Sequence, residues 1–386
     1  MSAAPRTVAL VAHQIHDHGG MERAFLELIR RSGGRTRFVV VSSVLAPDAV
    51  PLVEWRRVRV PMRPFPLRFI SFFVVAGIAL ARARRTANAV HTLGAIVPNR
   101  VDLATVQFCH AGFVAATGRL TPPGMPWLRR LNTAASRVLA LLAERWTYRR
   151  GRARLLAPVS EGTNREVQRH YPDVPTVVTP NGVDLERFRR DETARASVRA
   201  QLGVADGVVA ALFVGGDWDR KGLGEAIEGL ALAQAGTSVP LELWVVGGGD
   251  RDRFAGLAER RGAHGVRFLG PRTDTERLNA AADLFLLPTL YETFSLVAYE
   301  AAASSLPIVA TRVSGIDELL DGEAPAGIAV ERDPTAIATA LVQLAEDPAG
   351  RAGLGADGRD RASAYSWERS VDSVFAAYDR LAEVSE

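Results

Sequence analysis

A single lysine, Lys221, stands in a chain of 386 residues that otherwise draws its basic side chains from 46 arginines. Arginine is a planar fork and lysine a compact point charge, and phosphate sites often need the second. A chain that accepts arginine wherever charge alone is required marks its one lysine as a site candidate. The neighbouring residues point the same way. Arg220, Lys221 and Gly222 follow the apolar run 208–214 and precede a helix-forming stretch that starts at Leu223. Two cations at a helix N-terminus oppose the helix dipole unless an anion sits there, and a diphosphate would satisfy both. The competing reading is a pair of solvated charges beside Asp217 and Asp219.

A second pattern is Glu292-Thr293-Phe294-Ser295-Leu296-Val297-Ala298-Tyr299-Glu300. Glu292 precedes a helix and Glu300 lies two turns along it; eight residues cover about 2.2 turns, so the carboxylates lie on roughly the same side. Phe294, Ser295 and Leu296 then offer unpaired backbone N–H groups to a phosphate. A buried carboxylate at Glu300 can accept from two vicinal ribose hydroxyls. Two surface glutamates on an ordinary helix would show the same spacing. Gly19-Gly20 lets the backbone approach a ligand at the start of a helix, or simply makes a tight turn. His110 and His91 each end an apolar strand, where a hydrogen-bonded structural histidine is the commoner outcome. His13, His16 and His18 share one loop but have no recognised metal-ligand spacing.

These residues need elements to carry them. Short apolar, non-alternating strands are expected at 6–12, 37–42, 89–91, 104–108 and 155–159, then at 208–214, 241–246, 266–269, 284–287 and 307–310. Helical stretches separate them, among them 21–31, 66–85, 127–150, 223–234, 273–282 and 296–304. Buried strands alternating with helices indicate parallel sheets covered on both faces. The fold class is α/β, with two facing Rossmann-like domains. Ligands bind beyond the carboxyl ends of strands in such sheets, where every candidate above lies. The linker falls near 181–190.

Charge is unevenly divided. Residues 1–178 hold 26 arginines against 10 acidic residues, and the remainder holds 21 basic against 33 acidic residues. A basic half points to an anionic partner, or to attraction between two domains of opposite charge. The segment 66–85 is apolar and ends in a basic turn, which is read first as a buried helix and second as a membrane contact. No basic n-region of a secretory signal precedes the first apolar run, and the longest uninterrupted apolar run, 72–81, is too short to span a bilayer. One cysteine, Cys109, allows no internal disulfide and fits a reducing compartment such as the cytoplasm.

Taken together, GGMER at 19–23, VSEGTNREV at 159–167, PNGVDLERF at 180–188, RKG at 220–222, Glu292 and Glu300, and SWE at 366–368 resemble family 4 glycosyltransferases of the GT-B fold. The likeness covers nearly the whole chain. GGDWDRKG, VQFCHAGF and the helix after Trp127 look most similar to lipopolysaccharide core glucosyltransferases. The resemblance implies an acceptor domain at 1–180, a nucleotide-sugar domain at 181–365, and a stretch at 366–386 that crosses back to the first. It implies that Arg220 and Lys221 hold a diphosphate and Glu300 the ribose. Glu292 and the backbone of Phe294, Ser295 and Leu296 would contact sugar and phosphates. Gly19-Gly20 would back the diphosphate, His110 would lie beside the transferred sugar, and Arg272 near the base. Many relatives have arginine where this chain has Gly216, and here Arg220 adjoins the lysine instead.

The implied activity is retaining, metal-independent transfer of a hexose from a UDP- or GDP-sugar to a hydroxyl of a glycan, lipid-linked glycan or small molecule. No cofactor is expected, and peripheral contact with an anionic membrane is. Rivals are a nucleotide-sugar epimerase of the same architecture, a non-catalytic sugar- or lipid-binding module, and a dinucleotide-dependent oxidoreductase. The last lacks G-x-G-x-x-G after its first strand. A nucleic-acid partner is disfavoured, because the basic half lacks a known binding motif.

Overall fold

The computed structural model describes residues 6–17, 19–61, 63–121 and 127–383, so His18 and the last three residues of the 366–386 stretch lie outside the described residues. The chain divides into two compact units. Residues up to Gly182, rejoined from Trp367 onward, form the first, and Val183–Ser366 forms the second.

In the first unit β1 (Arg6–Val11), β3 (Thr36–Ser42), β5 (Glu54–Arg57), β6 (Ala89–Leu93), β7 (Val101–Val106) and β8 (Ala153–Pro158) form one parallel sheet, ordered β5-β3-β1-β6-β7-β8. Two short strands, β2 (Gln14–Ile15) and β4 (Val44–Leu45), pair separately. The second unit holds β9 (Val209–Val214), β10 (Leu241–Val246), β11 (Val266–Gly270), β12 (Leu284–Leu287), β13 (Ile308–Ala310) and β14 (Gly327–Ala329), ordered β11-β10-β9-β12-β13-β14. Counted within its own sheet, each order runs third, second, first, fourth, fifth, sixth. That is the doubly wound order, whose crevice opens where the first and fourth strands meet. The two crevices therefore lie beyond β1 and β6, and beyond β9 and β12. Every residue of β9 and β12 is buried, as helices on both faces require.

Several boundaries move from the sequence expectation. The strand expected at 104–108 is β7, which runs Val101–Val106 and contains Asp102. That carboxylate is buried and accepts the Val90 N–H at 2.9 Å, so a polar residue inside the strand is paired to its neighbour in the sheet. β5 is a polar edge strand, EWRR, without the apolar signature of the others. Asn181-Gly182 has a packing reason. Asn181 exchanges two side-chain hydrogen bonds with Gln107 at 2.6 and 2.8 Å, and a Cβ on Gly182 would come within 2.5 Å of the Trp367 backbone. The helix Trp367–Glu383 belongs to the first unit, where Val371, Phe375, Tyr378 and Leu381 complete a core with Leu10, Phe25 and Phe38.

The helix Phe65–Ala83 is neither wholly buried nor free. Phe69, Phe72, Ala76, Leu80 and Ala83 enter the core, while Leu67, Ile70, Val74 and Ile78 form an exposed apolar stripe. It packs against the helix Trp127–Thr147, which exposes Leu131, Val138, Leu142 and Trp146.

Candidate active site

In the second unit, β9 delivers the chain to Gly215 and Asp217, and a short helix, Trp218–Lys221, ends at Gly222. Gly222 has φ 83°, and a Cβ there would stand 2.1 Å from the Pro288 carbonyl oxygen; a Cβ on Gly215 would stand 2.5 Å from Lys221 Cδ. These two glycines let the lysine fold back against the segment that leaves β12. The Leu290 N–H donates to the Arg220 carbonyl at 2.8 Å and ties the two loops together.

Lys221 Nζ donates to Glu292 Oε1 at 3.0 Å, and Arg220 Nη1 donates to the same oxygen at 3.0 Å. Arg220 also donates to the Tyr291 carbonyl, and its Nε to Asp217 Oδ2 at 2.9 Å. Burial would push the Glu292 carboxyl up, but Lys221 and Arg220 outweigh it and hold it below the usual carboxylate range. Burial likewise opposes the Arg220 charge, and Glu292 and Asp217 overcome it. This corrects one expectation. The two cations do not depend on a ligand for counter-charge, because Glu292 and Asp217 already supply it. They are an anchored cationic pair at the crevice of the second sheet, held in place before any anion arrives.

The spacing argument for Glu292 and Glu300 also needs correction. The helix runs only Leu296–Ala303, so Glu292 lies in the loop before it and helical periodicity does not relate the two carboxylates. Glu300 sits in the helix and is 9% exposed. Between them Ser295 adopts the left-handed conformation (φ 62°) and makes no side-chain cap, and its hydroxyl is buried without a hydrogen-bond partner. The first N–H groups of the helix, beginning at Leu296, have no intrahelical acceptor. Phe294 turns inward and stacks on Tyr299 at 4.2 Å, so its backbone rather than its ring could meet a ligand. Gly315 (φ 82°) permits this, since a Cβ there would be 2.3 Å from Phe294 Cα. Arg272 is not drawn into the cluster. It forks onto Asp274, at 2.8 and 2.6 Å, after the edge strand β11.

In the first unit Gly19 (φ 102°) precedes the helix Gly20–Arg30. His110 opens the helix His110–Thr117 just after β7. Its backbone N–H donates to Glu144 Oε1 at 2.8 Å, and its Nδ1 is buried without a partner. Burial, then Arg137, pulls the imidazole down to about 4, so it is neutral at pH 7. His91 is structural: its ring nitrogens bond Tyr378 and Thr105 at 2.7 Å each. His13 and His110 line a cavity of about 240 Å³ with Gln107, Phe69 and Glu144.

Glu144 was not among the sequence candidates. It accepts from the His110 and Ala111 N–H groups and from the Tyr171 hydroxyl (2.9 Å), and burial raises its carboxyl to about 7. One signal marked it: it is the sole acidic residue between Asp102 and Glu161. Cys109, pushed up to about 12 by burial and then Glu144, accepts the Gly112 N–H. Among the described residues no three His, Cys, Asp or Glu side chains stand together as metal ligands.

Residues 209–347 match the model of a family described as "Glycosyl transferases group 1". The chain is 37% identical over 236 residues to the D-inositol 3-phosphate glycosyltransferase of Geodermatophilus obscurus, covering 57% of this chain and 51% of that protein. It is 32% identical over 177 residues to the lipopolysaccharide glucosyltransferase WaaG of Escherichia coli K12, covering 45% of this chain and 47% of that one. The chain thus spans about half the length of the curated relatives it matches. Among solved structures, WaaG matches with a TM-score of 0.76 at 23% identity, over 96% of this chain and 98% of that one. Anabaena HepE in complex with UDP and glucose matches with a TM-score of 0.71 at 18% identity, over 97% and 100%. Residues 209–347 of the second unit are thus similar to a glycosyltransferase group 1 domain, and the chain has the GT-B fold.

Proposed function

We propose that this protein is a retaining glycosyltransferase that moves a hexose from a UDP- or GDP-sugar to an acceptor hydroxyl. The observation that carries the reading is the pair Arg220 and Lys221, anchored on Glu292 beyond β9 and β12 inside the glycosyltransferase group 1 domain. As the bond from the anomeric carbon to the phosphate oxygen breaks, the nucleoside diphosphate leaves with the electron pair. Arg220, Lys221 and the N–H groups around Ser295 and Leu296 stabilise that charge. The acceptor oxygen bonds the anomeric carbon from the side the diphosphate departs, and its proton passes to the departing phosphate oxygen. Glu300 binds the ribose, Glu292 orients the cations and meets the sugar, and Arg272 lies near the base once released from Asp274. For Gly19-Gly20 and His110 the family resemblance implies contact with the diphosphate and with the transferred sugar. HepE was solved with UDP and glucose, which supports a UDP-sugar.

Catalysis here draws its positive charge from side chains, so activity survives EDTA; loss that Mg²⁺ or Mn²⁺ restores would refute metal independence. The exposed stripes on helices Phe65–Ala83 and Trp127–Thr147, flanked by Arg82, Arg84, Arg85, Arg129 and Arg130, favour peripheral binding to an anionic cytoplasmic membrane face. An epimerase would use the same donor site without an acceptor.

The deciding experiment is a thermal-shift screen with UDP, GDP, ADP, TDP and NAD. A ligand at 100 times its dissociation constant adds about 2.7 kcal/mol. A shift with one nucleoside diphosphate, lost in Lys221→Ala, supports the reading. A shift with NAD alone overturns it.

A further inference from the structure

The helix Leu296–Ala303 starts in an unusual way. Ser295 holds the cap position in the left-handed region, at φ 62° and ψ 68°, where cap residues are ordinarily extended. For an L-residue other than glycine that conformation is disfavoured by roughly 5- to 30-fold in population. The Ser295 hydroxyl gives nothing back, because it is buried without a hydrogen-bond partner. Local sequence does not explain such a turn, so groups packed on it must hold it there.

Phe294 precedes the cap and Tyr299 stands at the fourth helical position, and their rings stack 4.2 Å apart with planes 9° from parallel. That is a hydrophobic staple, which fixes the angle at which a chain enters a helix. Both residues are buried, and Tyr365 meets the Tyr299 ring edge-on at 4.8 Å. The Tyr299 hydroxyl donates to the Gly315 carbonyl at 2.8 Å. Gly315 in turn lies so close to Phe294 that a Cβ there would be 2.3 Å from its Cα. Tyr299 therefore grips the turn twice, through the Phe294 ring and through the Gly315 backbone. We infer that Tyr299 is a positioning residue for the donor diphosphate. With no exposed surface it cannot touch a ligand itself. It acts by keeping Ser295 left-handed, which holds the first N–H groups of the helix in one geometry. Without the staple Ser295 relaxes out of that region and the N–H groups lose their common aim. This rests on the proposed function in taking those N–H groups as a diphosphate contact.

The test is a double-variant cycle on the full chain, read by calorimetric titration with UDP and with GDP and scored on whichever binds the parent more tightly. Tyr299→Leu should weaken that nucleotide about tenfold, the order of the left-handed penalty. In a Ser295→Gly background the same change should weaken it no more than about threefold, because glycine enters the left-handed region freely. Tyr299→Phe keeps the stacked ring and should weaken binding no more than about threefold. Ser295→Gly should also raise the urea midpoint, since it removes both the strain and a buried unpaired hydroxyl. If Tyr299→Leu does not fold, Phe294→Leu breaks the same staple from its other side and takes its place in the cycle. Equal weakening in the two backgrounds, or none in either, overturns the inference. So does a Tyr299→Phe loss as large as that of Tyr299→Leu, or a urea midpoint that falls in Ser295→Gly. If the parent's nucleotide binding depends on Lys221 all the same, only the role of Tyr299 is removed and the donor reading stands. A parent that binds neither UDP nor GDP removes both.

Discussion

Lys221 balances a buried carboxylate, and in the proposed function it also stabilises a leaving diphosphate; removing it tests the two apart. Two unit charges 3.0 Å apart attract by about 5 kcal/mol at an effective dielectric constant of 20, before desolvation is counted. Orphaning a buried charge completely costs about 3–5 kcal/mol. In Lys221→Ala, Arg220 remains 3.0 Å from Glu292, so the expected loss is smaller, about 1–3 kcal/mol. Adding Glu292→Gln removes the under-compensated charge. The double variant should then be more stable than the two single losses sum to, by about 1 kcal/mol or more. Turnover should behave otherwise. Lys221→Ala should lower nucleotide release from the donor at least about 100-fold, and the second substitution should not restore it. Urea unfolding of all four proteins gives the stability cycle, and initial rates give the other. If the stabilities add within about 0.5 kcal/mol, the ion pair holds nothing in place. If the double variant regains turnover, Lys221 acts only through Glu292 and the phosphate assignment is wrong.

Glu300→Ala should also reduce turnover at least about 100-fold and raise the donor KM, since a ribose contact is lost; near-normal kinetics would remove Glu300 from the site. Gly222→Ala forces a side chain into a left-handed conformation and against the Pro288 carbonyl, and should cost about 2 kcal/mol or more in chemical unfolding. Acid should weaken the first unit. His13, His91 and His110 have folded values of about 3, 3 and 4 against 6.5, so their contribution is present above 6.5 and is lost as pH falls toward the folded values. Glu144, raised to about 7 from 4.5, works the other way and gains between 7 and 4.5. Between pH 7 and pH 5 the histidines lose roughly 6 kcal/mol and Glu144 returns roughly 2, a net loss of about 4 kcal/mol from these four groups. A urea midpoint for the first unit that is the same at both pH values would mean that the rings are not held neutral.

The sequence by itself determined the architecture, because buried parallel strands must be continuous apolar runs and the helices between them must have a face to bury. It also marked Lys221, Arg220, Glu292 and His110 as candidates by residue type and by position after a strand, and Glu300 by its place on the helix that follows. It misplaced the relation between Glu292 and Glu300 by counting helical turns from Glu292, which precedes the helix, across Ser295, where the chain turns left-handed to bury Phe294 on Tyr299. That turn depends on Gly315, twenty residues away, and no local periodicity reports it. Nor could spacing reveal which charges neutralise which. Arg220 and Lys221 find Glu292 because β9 and β12 are neighbours in a sheet whose order skips two strands in sequence. Glu144, Gln107 paired with Asn181, and the unpartnered ring of His13 are likewise products of tertiary packing. Each is a polar side chain whose meaning lies in what surrounds it, and only the folded chain decides whether a buried polar atom is satisfied or left waiting for a ligand.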